Sequence, residues 1–204
     1  MKVVVFGATG KTGELTWRKA VEAGHDVTVF GRSVERCYTN EPVTKIQGDV
    51  LDAEAVSRAI AGQDVVLVCL GPVNTRDRST LSQGAKNVRA AMRSLDVHRV
   101  VFISAAGVGG SWKRIPWYSK LLFLTVLKTI LSEHVREEET LRDDQLEWTA
   151  VRAAVLTDKP ESGRILASNS VPTKTIPRAD LAQFLASQIA GKDYLKQAIC
   201  VTSG

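Results

Sequence analysis

Residues 2–13 read KVVVFGATGKTG, and the rest of the chain can be placed around them. Val3, Val4, Val5 and Phe6 form a short, mostly β-branched apolar run, the composition of a strand buried on both faces of a parallel sheet. Gly7, Gly10 and Gly13 follow at three-residue intervals, and residues 14–23 read as a helix. A strand, a tight glycine turn and a helix N-terminus make an anion site. The turn lets backbone N–H groups approach a phosphate, and the helix dipole favours its charge. The same glycines would serve a plain strand-to-helix joint, but their place between a strand and a helix favours dinucleotide binding, with Thr9, Lys11 and Thr12 in the turn. Gly10-Lys11-Thr12 looks like the tail of a P-loop, yet that motif needs a glycine at position 5, which is Val. A nucleoside-triphosphate loop is excluded.

A second apolar run at 27–30 completes a strand–helix–strand unit, with Gly24 as the residue that ends the helix. A site for NAD places Asp or Glu at the end of this second strand, to accept from the ribose 2′-hydroxyl. The sequence has Gly31-Arg32-Ser33 there, and Arg36 one turn on. A carboxylate would repel a 2′-phosphate, whereas Arg32 can grip it bidentately and Ser33 can donate to it. NADP(H) is therefore the expected cofactor.

Further strands are expected at 43–47, 65–70, 100–103, 148–151 and 198–202, with helices at 53–61 (capped by Asp52), 79–95 and 178–190. This alternation predicts an α/β Rossmann fold: one doubly wound parallel sheet, helices on both faces, a single domain over 1–204. The carboxyl ends of its strands carry Asp49-Val50, Leu70-Gly71 and Ser104, the positions where such sheets bind ligands. Asp49 suits either the adenine amino group or a turn cap. Ser104 suits either a place beside a nicotinamide or the capping of a strand end. Residues 107–116, GVGGSWKRIP, form a loop long enough to act as a flap, in which Trp112 either stacks on a planar ligand or anchors the loop. Residues 118–131 suit a core or dimer helix, and the charged run 134–142 reads as a solvated face. Segments near 105–118 and 156–178 are left to shape a substrate pocket.

Composition narrows the partners. A net charge of +5 comes from scattered Lys and Arg, and the few aromatics are not interleaved with them, so nucleic acid is not expected. The first apolar run is too short for a signal peptide and residues 118–131 are too interrupted for a membrane span, so a membrane is not expected either. Cys37, Cys69 and Cys200 are far apart, with no C-x-x-C pair, which fits a reducing, cytoplasmic setting. The expected partner is a small molecule, bound by a monomer or weak homodimer.

The chemistry is bounded by what is missing. Four residues after Tyr38, Tyr118 and Tyr194 stand Pro42, Leu122 and Ala198, so no Tyr-x-x-x-Lys acid exists for ordinary ketones and alcohols. His25, His98 and His134 are solitary and read as surface or capping residues rather than metal ligands. No G-x-S-x-G elbow occurs. A nicotinamide site with few protic groups suits hydride transfer to a conjugated acceptor, which needs mainly positioning. Flavins and linear tetrapyrroles are such acceptors.

The chain resembles the biliverdin-IXβ reductase/flavin reductase family, an atypical branch of the short-chain dehydrogenases. The matching residues include Phe6-Gly7-Ala8-Thr9-Gly10 with Thr12-Gly13, Arg32 and Arg36, Gly48-Asp49-Val50-Leu51, Gly62-Gln63-Asp64, Leu70-Gly71, Gly84-Ala85-Lys86-Asn87, Ser104-Ala105 and Asp180-Leu181 with Phe184. The resemblance implies NADPH-dependent reduction of flavins such as FMN and of some biliverdins. It puts residues 9–13, Arg32, Ser33 and Arg36 on the cofactor's phosphates and ribose, Asp49 and Val50 on its adenine, and Leu70, Gly71 and Ala105 along the crevice. It makes Ser104 the active-site serine and Lys174 a basic residue over the substrate. The loop at 107–116 and Arg152-Ala153-Ala154 depart from the family pattern. The competing expectation is a non-catalytic NADP-binding sensor of the NmrA type, which shares the fold.

Overall fold

The computed structural model describes residues 1–71, 79–114 and 128–204. Strand β1 (Lys2–Phe6) runs into α1 (Lys11–Glu22), followed by β2 (Asp26–Gly31), a short α2 (Val34–Cys37) and β3 (Thr44–Gln47). Then come α3 (Ala53–Ile60), β4 (Val65–Val68), α4 (Thr80–Ser94) and β5 (Arg99–Ala105). A 3₁₀ helix (Gly109–Arg114) precedes α5 (Lys128–Leu141), β6 (Glu147–Ala153), β7 (Val155–Thr157), β8 (Ile165–Ala167), β9 (Thr175–Pro177), α6 (Arg178–Ser187) and β10 (Gln197–Ser203).

The main sheet has the order β3-β2-β1-β4-β5-β6-β10-β8. Every pairing in it is parallel except β10 with β8, and β7 pairs with β9 in a separate two-stranded parallel sheet. The order reverses between β1 and β4, so the turn after β1 lies at the switch point where a crevice opens beyond the strand ends.

Alternate residues of the strands face two cores. Val3, Val5, Val29, Leu67 and Val101 meet Trp17 of α1 and Leu181 and Leu185 of α6. Val4, Phe6, Val66, Val68 and Phe102 meet Val56 and Ile60 of α3, Val88 and Met92 of α4, and Leu141 of α5. The expected Rossmann architecture is what the chain adopts.

Boundaries moved in a few places. Helix α1 begins at Lys11, three residues before the expected start, because Gly13 is packed into the first turn rather than standing before it. Asp52 caps α3 as expected, its carboxylate accepting from the N–H groups of Glu54 and Ala55. The expected flap is partly a fixed turn. Ser111 is fully buried, accepts from the Gly107 N–H and donates to the Val108 carbonyl at 2.6 Å, which ties the loop to itself. Residues 115–127, with most of the expected apolar helix, lie outside the described residues, and only its last four fall in α5.

The glycine turn is set by backbone crowding. Gly7 has φ +75°, and a Cβ there would stand 2.5 Å from the Cys69 carbonyl oxygen. A Cβ on Gly13 would stand 2.2 Å from the Gly7 carbonyl oxygen, so α1 and β1 approach as closely as they do only because that position has no side chain. Gly13→Ala is expected to cost about 1–3 kcal/mol through overpacking, read as a lower urea midpoint with an unchanged m-value.

Candidate functional site

The first turn of α1 is capped by Gly10, which brings no side-chain hydrogen bond. The Gly10 N–H donates to the Gly7 carbonyl at 3.0 Å, and the earliest bond of the helix itself runs from the Glu14 N–H to the Gly10 carbonyl, so the N–H groups of Lys11, Thr12 and Gly13 precede the helical ladder and take no side-chain cap from Gly10. Such amides at a helix N-terminus favour an anion. Together with the crowding at Gly7 and Gly13, this makes a cradle that side chains would fill and that fits a dinucleotide pyrophosphate.

Gly7, Thr9, Gly10, Arg32, Asp49, Val50, Leu70 and Gly71 all line one groove of about 350 Å³ across the switch point. Eight expected cofactor positions thus come together. Arg32 is exposed at the end of β2 and makes no ion pair or hydrogen bond among the described residues. Asp49 caps a turn, one carboxylate oxygen accepting from the Leu51 N–H at 3.0 Å, and also faces the groove. Val50 is buried, and its carbonyl is held by the Asn87 amide at 2.9 Å.

The remaining expected residues stand elsewhere. Thr12 and Gly13 are buried in the first turn of α1. Ser33 stands at the N-cap position of α2 without a side-chain capping bond, and Arg36 is exposed on that helix. Ala105 ends β5. Lys11 pairs with Asp158 at 2.8 Å across a second, shallower groove, where Arg178 at the start of α6 also meets Asp158. Lys174 is exposed near the end of β10, where its backbone N–H donates to Thr202 Oγ1. The side chain of Trp112 lies outside the described residues.

The largest correction concerns α5. The run from His134 to Arg142 is solvated on one side only: Arg136, Glu139 and Arg142 are exposed, whereas His134, Glu137 and Glu138, with Glu133 just before them, are buried. His134 is likewise not a surface or capping residue, for its Nδ1 lies 2.9 Å from Glu137 Oε2. The partners that make this burial possible come from distant parts of the chain. Glu138 accepts from Arg152 Nε at 2.9 Å and Nη2 at 2.8 Å, and from the Ser104 hydroxyl at 2.6 Å. Glu133 accepts from the Ser82 N–H and from Arg136. Ser104 is therefore buried, with its proton directed to Glu138.

Burial shifts these groups. It pushes the Glu137 carboxyl up, against the opposing pull of His134. Burial pulls Arg152 down, but the hydrogen bond and charge of Glu138 outweigh it and hold the guanidinium above its ordinary range. Burial above all, with the Glu137 charge adding to it and a hydrogen bond with Thr16 opposing, pushes the Cys69 thiol up to about 12. Cys69 is inert packing in the groove wall.

Sequence reasoning missed Glu138, Arg152 and Asp180 as organisers of the strand ends. Asp180 is buried and accepts from the N–H groups of Ser162 and Gly163 at 3.0 Å each and from Ser162 Oγ at 2.6 Å. It pins the segment after β7 to the first turn of α6. Only a buried strand end carrying Arg152, with no acid beside it in sequence, could have signalled a partner on another element.

A Rossmann sheet with a glycine cradle at its switch point defines a dinucleotide-binding protein. The family described as NAD(P)H-binding matches residues 7–192, and the chain belongs to it. A 2-alkyl-3-oxoalkanoate reductase from Stenotrophomonas maltophilia is 28% identical, over 95% of this chain and 69% of its own length. An uncharacterised protein from Mycobacterium tuberculosis is 28% identical over 76% of this chain, which spans only 15% of that relative. Among solved structures, ChuY, an anaerobillin reductase from Escherichia coli O157:H7, superposes with a TM-score of 0.84 at 20% identity, covering 100% of this chain and 97% of its own. A short-chain dehydrogenase/reductase from Veillonella parvula, solved in complex with NADP, gives 0.82 at 19% identity, covering 99% and 94%. Among the described residues no helix is long and apolar enough to cross a membrane, and no cluster of three or more His, Cys, Asp or Glu could hold a metal.

Two outcomes test the α5 cluster. Glu138→Ala leaves Arg152 buried without its partner and is expected to cost about 3–5 kcal/mol, measured by urea denaturation. A carboxyl whose folded pKa is raised contributes stability that is complete below its unfolded pKa and is lost as pH rises through the folded value. The wild-type chain is therefore expected to lose stability as pH climbs out of the ordinary carboxylate range through the raised Glu137 value. Glu137→Gln should flatten that part of a pH series of melts.

Proposed function

We propose that this chain is an NADPH-dependent reductase that transfers hydride to a conjugated planar acceptor, a bilin or a flavin. The observation that carries the reading is Arg32: an exposed guanidinium without a protein partner among the described residues, lining the groove at the end of β2 where an NAD site needs a carboxylate. NADPH supplies the hydride when bound in that groove. The glycine cradle positions its pyrophosphate, Asp49 and Val50 lie where the adenine is expected, and Leu70 and Gly71 wall the crevice toward the ends of β4 and β5.

The acceptor class follows from the protic groups. Tyr38 donates its hydroxyl to the Ala8 carbonyl from within the core, and no Tyr-x-x-x-Lys pair exists. Ser104 is held by Glu138 at the end of β5, which makes it a fixed dipole near the reacting end rather than a strong acid. An acceptor that is electrophilic through conjugation suits such a site. The likeness to ChuY, an anaerobillin reductase, supports the bilin arm; the likeness to a 2-alkyl-3-oxoalkanoate reductase supports reduction in general, although a 3-oxo acid is a ketone.

The test is the loss of nicotinamide absorbance with NADPH or NADH, offering FMN, biliverdin and a 2-alkyl-3-oxo acid in turn. Turnover of FMN or biliverdin with NADPH preferred is expected. Turnover of the oxo acid alone would replace the acceptor, and tight NADPH binding without any turnover would favour the sensor. Arg32→Ala should weaken NADPH by about 1.5–3 kcal/mol, the worth of a charged hydrogen bond, and leave NADH nearly untouched; calorimetric titration of both cofactors checks it. Ser104→Ala should lower kcat more than cofactor affinity, and the reverse pattern in the same titrations would make Ser104 purely structural.

A further inference from the structure

Two of the four buried ionisable side chains of α5 are not used up by the fold. Glu133 is engaged by Ser82 and Arg136, and Glu138 by Arg152 and Ser104. His134 and Glu137, both buried, hold each other at 2.9 Å, and Glu137 Oε1 has no hydrogen-bond partner among the described residues. An unpartnered buried carboxyl oxygen is expensive to keep, and buried, mutually coupled titratable groups at a crevice are what proton-transfer sites contain.

Their place is equally specific. Helix α5 packs on α4 and on β5. Glu138, one residue on from Glu137, reaches Ser104 at the end of β5. Cys69, Leu70 and Gly71, beyond the end of β4, wall the cofactor groove. His134 lies one helical turn before Glu138 on the same face of α5, so the pair stands near the end of β5, one of the strand ends beyond which an open α/β sheet binds its ligands.

We propose that His134 and Glu137 are the proton-delivering pair of this site, His134 as donor and Glu137 as the residue that positions it. The proposal rests on the reductase reading above. Reduction of the acceptor by two electrons consumes one hydride, from the nicotinamide cofactor, and one proton. The proton leaves His134 Nε2, the ring nitrogen that Glu137 does not hold, and its N–H electron pair stays on the imidazole. A new bond forms between that proton and the acceptor atom left negative by the hydride, and water returns the proton to the ring. Facing the pair are Glu133 and Glu138 on the same helix, Cys69 from beyond β4, and Arg152 of β6, whose charge is taken by Glu138. Burial favours the protonated form of the Glu137 carboxyl.

The experiment uses the full chain with saturating NADPH and whichever of FMN or biliverdin the wild type reduces, following kcat against pH, with thermal melts to confirm folding. The wild type is expected to show an ionising limb in kcat. Glu137→Gln, close in shape, should shift or erase that limb. His134→Ala should lower kcat about 100-fold, the usual worth of a positioned acid, with KM for NADPH nearly unchanged and partial rescue by added imidazole; His134→Asn serves should the alanine variant not fold. Unchanged kcat and pH profile in both folded variants, while the wild type turns over, would overturn the pair and leave the reductase standing. A loss that imidazole does not restore, with the pH limb intact in Glu137→Gln, would also overturn it. Absence of wild-type turnover would sink the reductase reading and the pair with it.

Discussion

The structure depends on one backbone contact: the approach of α1 to the carbonyl of Gly7. A Cβ on Gly13 would sit 2.2 Å from that oxygen, and one on Gly7 would sit 2.5 Å from the Cys69 carbonyl. Two missing side chains therefore draw β1, α1 and the end of β4 together at a single point. Because the strand order reverses there, the same point is where the crevice opens. The amides of the first turn of α1 are turned toward it without a cap, and the groove lined by Arg32 and Asp49 runs away from it. Binding geometry and core packing are the same constraint seen from two sides.

Much of this was legible because each part is local. The apolar runs, the glycine spacing, the Asp52 cap and the missing carboxylate after β2 are all read within a few residues, and each stands where the pattern put it. The groove brings together eight of the expected cofactor positions for the same reason: they follow one another along strand ends whose order a doubly wound sheet dictates. Lys11 escaped because its cation is drawn to Asp158, a partner 147 residues away.

Helix α5 shows where local reading fails. A run of Glu and Arg is solvated unless it finds counter-groups, and buried carboxylates are rare for that reason. Here the counter-groups exist but arrive from elsewhere: Arg152 from β6, Ser104 from β5, Ser82 from α4. No window on the sequence contains both halves of these pairs. The serine, read as a strand-end hydroxyl near a nicotinamide, is at the strand end, yet its proton is already committed to a glutamate 34 residues away.

The cost of that arrangement carries meaning. An apolar helix could pack on β5 at no electrostatic expense, since replacing a buried ion pair by well-packed hydrophobic residues is often neutral or stabilising. What apolar packing cannot do is hold a guanidinium, a hydroxyl and a carboxylate in one fixed geometry. The bidentate Arg152–Glu138 contact fixes the register of α5 over the strand ends, and the 2.6 Å bond to Ser104 transmits that register to β5. With Glu138 anchored, Glu137 and His134 are held beside it on α5, with one Glu137 carboxyl oxygen unpartnered among the described residues. The ion pair thus acts as the frame and the histidine–glutamate pair as what it frames. The buried charge that costs α5 its desolvation is the charge that fixes the helix against β5 and β6.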